Sequence, residues 1–174
     1  AATPRSRLGD PTPCPDWDVR ALVDHVVGGN ELFAAAVRGD GPDWSRRHDG
    51  RVGDDPLAAW DPSAAAITAA LAVADPDAPA ELPFGTLTAG RAAAIHFVDV
   101  LVHAWDLAVA TGRDGTLPAD LATAALDVVA TYAPEVWGRP QFFAGKLPAP
   151  PGAPPHVRLV TTLGRRADWR PGAA

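Results

Sequence analysis

From Ala92 to Gly112 the ionisable side chains are His96, Asp99, His103 and Asp106, set in a run that is otherwise apolar or small. At about 100° per residue on a helix they fall within an arc of about 80°. Two readings of that arc compete. It is a narrow solvent face on a mostly buried helix, or it turns inward and lines a metal-containing cleft between helices. Asp99 and His103 are one helical turn apart, about 6 Å along the axis, so both can reach one cation. His96 lies about 10.5 Å from His103 on the same axis, too far to join them comfortably. It fits better as an acid or base facing a substrate, or as a neutral structural His. Asp106, one turn past His103, can orient that imidazole.

Two ligands are not a site, and the third must come from another helix. Helical periodicity begins after Trp17, with Asp18 as N-cap and apolar Val19, Leu22, Val23, Val26, Phe33 and Val37 recurring until Gly39. On this helix Arg20, Asp24, Glu31 and Arg38 form one charged stripe, and His25 lies about 120° from it, on the inward side. An inward His is otherwise a hydrogen-bonded core residue. His48 and His156 fall in loops.

The elements that must position these residues are helices. Pro4, Pro11, Pro13 and Pro15 keep residues 1–17 as an extended lead-in. Residues 39–55, rich in Gly, Asp and Arg, read as a loop. A second helix is predicted from Asp55 or Pro56 to Ala74, with Asp61-Pro62 as the point where it could break. Asp75 to Gly85 reads as another loop. The third helix is predicted from Leu87 to Ala110, stopping at Gly112. A fourth runs from Pro118 to Tyr132 and is ended by Pro134. Residues 135–174, with five prolines from Pro148 to Pro155, read as an irregular tail. With no alternating strand pattern of useful length, the reading is a single all-α domain over residues 1–174.

Composition bounds the function. The chain has 174 residues, 47% hydrophobic and 21% charged, as in an ordinary globular domain. A net charge of −6 and scattered arginines, paired only at Arg46-Arg47 and Arg165-Arg166, argue against nucleic acid as a partner. A lone Cys14 excludes an internal disulfide and a four-Cys zinc site. No apolar stretch near the roughly 18 residues needed to span a bilayer stands out, and Ala1 to Pro13 carry no apolar core of a signal peptide. A cytoplasmic address and no membrane partner are therefore expected. The absence of Met predicts a trimmed start.

Three segments carry a family resemblance. Thr12-Pro-Cys-Pro-Asp-Trp-Asp-Val-Arg-Ala-Leu-Val-Asp-His25 resembles the N-terminal signature of the actinobacterial maleylpyruvate isomerase family of mycothiol-dependent enzymes. Asp99-Val-Leu-Val-His-Ala-Trp-Asp-Leu-Ala-Val-Ala-Thr-Gly112 resembles its second signature, and Arg158-Leu-Val-Thr-Thr-Leu-Gly-Arg-Arg-Ala-Asp-Trp169 its C-terminal motif. The resemblance implies a DinB-like four-helix bundle and a divalent metal, usually zinc, bound here by His25, Asp99 and His103. It also implies a low-molecular-weight thiol, mycothiol, as cosubstrate. The family's long first helix has no counterpart in the eleven residues before Thr12. Either the start is truncated, or a partner chain in a homodimer or the helix over 118–132 completes the bundle. The acid is Asp99 where the characterised isomerase branch has Glu, and that branch's sterol-carrier-like C-terminal domain is absent, so maleylpyruvate itself is not the expected substrate.

Two His and one carboxylate leave an open coordination position. A thiol entering it loses its proton and can add to an activated double bond or displace a leaving group, giving isomerisation or S-transfer on a small electrophile. Gly28-Gly29, one turn past His25, is expected to leave room there for a bulky cosubstrate. Cys14, with no nearby base in the sequence, is assigned to packing. The alternative is a non-catalytic bundle that binds a metal, a thiol or a small hydrophobic ligand. A weaker option, a non-haem iron triad, usually sits on the strands of a β-barrel.

Overall fold

Asp18 caps the first long helix as its residue type predicts, accepting a hydrogen bond from the Ala21 N–H at 2.8 Å. That helix, α1, spans Val19–Arg38 and ends where Gly39 turns into the left-handed region at φ 76°. The structure is a computed structural model, and it describes residues 5–133, 137 and 145–172. After α1 a short 3-10 helix, Trp44–His48, packs against it. Helix α2, Pro56–Val73, is capped by Asp55 and passes through Pro62 without interruption. Pro62 faces solvent there, and the expected break at Asp61-Pro62 does not occur.

The stretch expected as a loop after α2 carries most of a hairpin, so the all-α reading is corrected to a helix-rich fold with one small sheet. Strands β1, Pro79–Leu82, and β2, Gly85–Thr88, pair antiparallel, with Pro79 opposite Thr88 and Leu82 opposite Gly85. Ala80 and Leu82 point into the core while Pro79 and Glu81 face out. An alternation only four residues long is too short to stand out in a sequence. Thr88 then caps α3, Ala89–Ala110, through the Arg91 N–H. Helix α4, Ala119–Ala130, follows. Its expected stop at Pro134 lies outside the described residues.

A fifth helix, α5, spans Pro155–Thr162 in what reads from sequence as irregular tail. Pro155 occupies the first turn, where its missing N–H costs nothing, and Leu159, Val160 and Leu163 are fully buried. The lead-in is likewise more than extended chain. Residues Arg5–Arg7 form a 3-10 turn, and Leu8 is buried against Val19, Val23 and Val27.

Helix α1 packs against both α2 and α3, and α4 packs between α3 and α5. One core cluster joins α3, α4 and α5 around Val102, Trp105 and Val129; another joins α1, α2 and the hairpin around Phe33, Ile67 and Leu82. Helix α4 buries Ala122, Ala125 and Val129 against the first of these. Contrary to the sequence reading, α2 and α3 are each long and apolar enough to cross a membrane by length and composition, with mean hydropathies of 1.2 and 1.5. Half of that stretch of α3 is buried inside the protein, as in the core helix of a folded domain.

Candidate metal centre

Helices α1 and α3 bring His25, Asp99 and His103 together. One donor atom from each lies within 4.8 Å of the others. His25 Nε2 is 3.4 Å from Asp99 Oδ2, and His103 Nε2 is 3.5 Å from Asp99 Oδ1. Both are ion-pair separations rather than good hydrogen bonds, and Asp99 Oδ2 is buried without a hydrogen-bond partner. Two ligands each about 2.1 Å from one tetrahedral zinc would lie about 3.4 Å apart. The separations and the orphaned oxygen therefore fit a small divalent cation.

Each ring is held by its surroundings. His103 Nδ1 donates to Asp106 Oδ2 at 2.9 Å, which leaves Nε2 aimed at Asp99. Asp106 is fully buried, and Arg165 grips both of its oxygens, at 3.0 and 3.3 Å. Cys14 Sγ also approaches Asp106 Oδ2, at 3.5 Å, and Arg165 donates to the sulfur at 3.5 Å. Cys14 thus lies beside a buried carboxylate and His103, a contact the sequence reading missed. On the far side, the Trp17 ring lies 4.4 Å from His25 and 5.8 Å from His103, and the His48 ring stacks on His25 at 5.4 Å. Beyond Trp17 and His48 a surface cleft of about 420 Å³ is lined by Asp18, Arg20, Asp24 and Val52.

Arg47 is the second residue that sequence reasoning missed. Its Nη2 lies 3.2 Å from His25 Nε2 and 3.6 Å from Asp99 Oδ2. A guanidinium only donates, so Arg47 and a bound cation would compete for the lone pair of His25 Nε2, and His25 Nδ1 is buried without a hydrogen-bond partner. The 3-10 helix reaches this position because residue 28 is glycine: a Cβ there would meet the Arg47 carbonyl oxygen at 2.3 Å. Gly28 thus admits the protein's own backbone, not a cosubstrate. Gly29 does face the centre, with His96 and Asp99 as its nearest neighbours. Asp24 fastens the loop by accepting from the backbone N–H groups of Gly50, Arg51 and Val52.

His96 stands apart from the three donors. It is buried, stacks on Phe33 at 4.5 Å, and pairs through Nε2 with Asn30 Oδ1 at 2.9 Å. Its Nδ1 is buried with no hydrogen-bond partner.

Electrostatics follows burial and charge. Burial pushes the His25 and His96 imidazoles down to about 4, in His25 against the pull of Asp99. Burial also opposes charge on His103, but Asp99 and Asp106 together outweigh it and hold the imidazolium well above its ordinary value. Burial would raise Asp99 and Asp106. His103 and His25 instead draw Asp99 well below the usual carboxylate range, and Arg165 with His103 lowers Asp106.

Residues 1–108 match the family described as mycothiol maleylpyruvate isomerase N-terminal domain. The chain belongs to this family. Among curated proteins, uncharacterized proteins of two Mycobacterium tuberculosis strains are each 37% identical over 162 residues, covering 91% of this chain and 85% of their own. No solved structure matches significantly. The match to the mycothiol maleylpyruvate isomerase N-terminal domain takes in His25, Asp99 and His103, and ends before Arg165.

The sequence did flag Arg46-Arg47 and Arg165-Arg166, but as isolated basic pairs. Nothing in their spacing ties them to His25 or Asp106, because both contacts depend on how a loop packs.

Proposed function

We propose that the protein is a metal-dependent enzyme in which His25, Asp99 and His103 hold a divalent cation, most simply zinc, and a low-molecular-weight thiol such as mycothiol attacks a small electrophile. The approach of His25 and His103 to the two oxygens of Asp99, one of which is buried without a hydrogen-bond partner, carries the reading. Two nitrogens and one oxygen suit zinc, and three protein ligands leave a position for an exogenous molecule. When bound, the ion would supply the positive charge that makes a thiol acidic near neutral pH.

The chain's own residues do the rest. Asp106 orients His103, and Arg165 keeps Asp106 ionised. Trp17 and His48 cover one side of His25 and limit water there. Arg47 places a fixed positive charge beside the centre, where it favours an anionic sulfur or a developing oxyanion. His96 is the proton-handling residue of this reading. The thiol proton passes to His96 as the sulfur bonds to the electrophilic carbon, and the π pair of the activated double bond moves onto its electron-withdrawing group. After rotation that pair reforms the double bond and the thiolate leaves with the C–S pair, completing an isomerisation. In an S-transfer, a leaving group instead departs with the pair of its own bond to carbon.

The test is metal content of the purified protein with and without mycothiol, followed by thiol consumption against a panel of electrophiles. Wild type should bind one zinc, His103→Ala should lose it together with activity, and His96→Ala should keep it. Retention by the His103 variant with loss by the His96 variant would sink the ligand assignment. A tightly bound metal with no thiol consumption would favour the second reading, a non-catalytic binding protein. The close cover of His25 by Trp17 and His48 gives that reading its support.

A further inference from the structure

His96 has two ring nitrogens in different surroundings, and a chain of hydrogen bonds fixes which one carries the proton. Ser63 Oγ donates to the Trp60 carbonyl at 2.8 Å, so its lone pairs face the other way. Asn30 Nδ2 donates to Ser63 Oγ at 3.0 Å, which turns Asn30 Oδ1 toward His96. A carbonyl oxygen only accepts, so His96 Nε2, 2.9 Å away, must be the N–H. In the neutral ring Nδ1 is then a bare lone pair.

That lone pair is buried without a hydrogen-bond partner, and so is Asp99 Oδ2, which has only the longer ion-pair approaches of His25 at 3.4 Å and Arg47 at 3.6 Å. His96 Nδ1 and Asp99 Oδ2 both lie 4.0 Å from the point where a side chain on residue 29 would begin, and residue 29 is glycine. Two acceptors therefore lie against the one residue of this face that carries no side chain. A buried acceptor left unpaired is costly, and a donor arriving from the bound molecule would relieve it.

We infer that Asn30 and Ser63 are positioning residues that make His96 Nδ1 a hydrogen-bond acceptor, and that the molecule bound at the metal centre presents an S–H, N–H or O–H donor to it past Gly29. His96 in this state receives a hydrogen bond or a proton from the ligand and has none to give, so it does not act as the acid that protonates a substrate. This rests on the functional reading above in one respect, that a small molecule binds beside Asp99.

Nitrogen-15 NMR of the His ring tests the first half without metal. Wild type at neutral pH should show His96 protonated on Nε2. Ser63→Ala frees the Asn30 amide to flip and should give a mixture of tautomers, while Ser63→Thr, which keeps the hydroxyl, should restore the wild-type signature. The second half uses the cobalt-loaded protein and N-acetylcysteine, with binding read from the cobalt absorption bands. Gly29→Ala, whose added methyl meets only ordinary van der Waals contacts, and His96→Phe should each weaken binding about tenfold at unchanged metal stoichiometry, as loss of one hydrogen bond predicts. A proton on Nδ1 in wild type, or equal affinity in the His96→Phe protein, would overturn the inference. Failure of the wild type to bind metal would overturn the functional reading alone, since the ring tautomer is measured without it.

Discussion

His103 sits between two carboxylates, and the second is the more telling. Asp106 is completely buried, yet it satisfies a histidine, an arginine and a thiol at once. Asp106→Asn keeps a hydrogen-bond partner for His103 but removes the charge, so zinc affinity should fall about 10-fold to 100-fold. It also strands Arg165, and an unpaired buried charge costs about 3–5 kcal/mol. Combining it with Arg165→Gln should restore much of the stability and none of the affinity, as urea denaturation and chelator competition would report. His96 gives a second residue-scale prediction. Its folded value is pushed by burial from 6.5 to about 4, below its unfolded value. Its contribution is therefore fully present above pH 6.5 and is lost as pH falls toward 4. The metal-free wild type should lose about 3 kcal/mol more than His96→Phe across that window. Equal acid limbs in the two proteins would show that His96 is not held neutral by the fold.

Among the elements, the one that matters most beyond α1 and α3 is the short 3-10 helix at Trp44–His48. It delivers Arg47 and His48 to the centre and can do so only over a residue without a Cβ. Gly28→Ala forces the two backbones apart, because the new methyl would lie 2.3 Å from the Arg47 carbonyl oxygen. The expected loss is about 1–3 kcal/mol by denaturation, with the Arg47 side chain drawn away from His25. The elements also show what a sequence can reveal. The four ionisable residues of α3 are legible because they interrupt an apolar helix on a single face, and His25 because it leaves the charged stripe of its own helix. Arg47, His48 and Arg165 are not legible, since their contacts come from tertiary packing rather than from any period. The hairpin hides because four residues make too short an alternation. Helix α5 hides because its prolines read as breakers, although one of them occupies the helix position that tolerates proline best.

Over the whole molecule, the α3–α4–α5 core includes Leu101 and Val102, the residues just before His103 of the candidate metal centre. Leu159 on α5 is fully buried in that core. Leu159→Ala should cost about 2–5 kcal/mol, and because Arg165 follows on the same segment it should also loosen the hold on Asp106. A thermal melt followed by zinc titration would check both effects. If the melting point falls while zinc affinity is unchanged, the core and the centre are independent. The position of Arg165 along the chain has a consequence in time. Ribosomes build from the N-terminus, so His25, Asp99 and His103 are all made before the arginine that fixes Asp106. A nascent chain that already owns its three donors still lacks the counter-charge behind Asp106. If the centre binds a metal, capture should be completed only after Arg165 docks on Asp106, and a chain stalled before Arg165 would emerge with the His103 ring not yet fixed by an ionised Asp106.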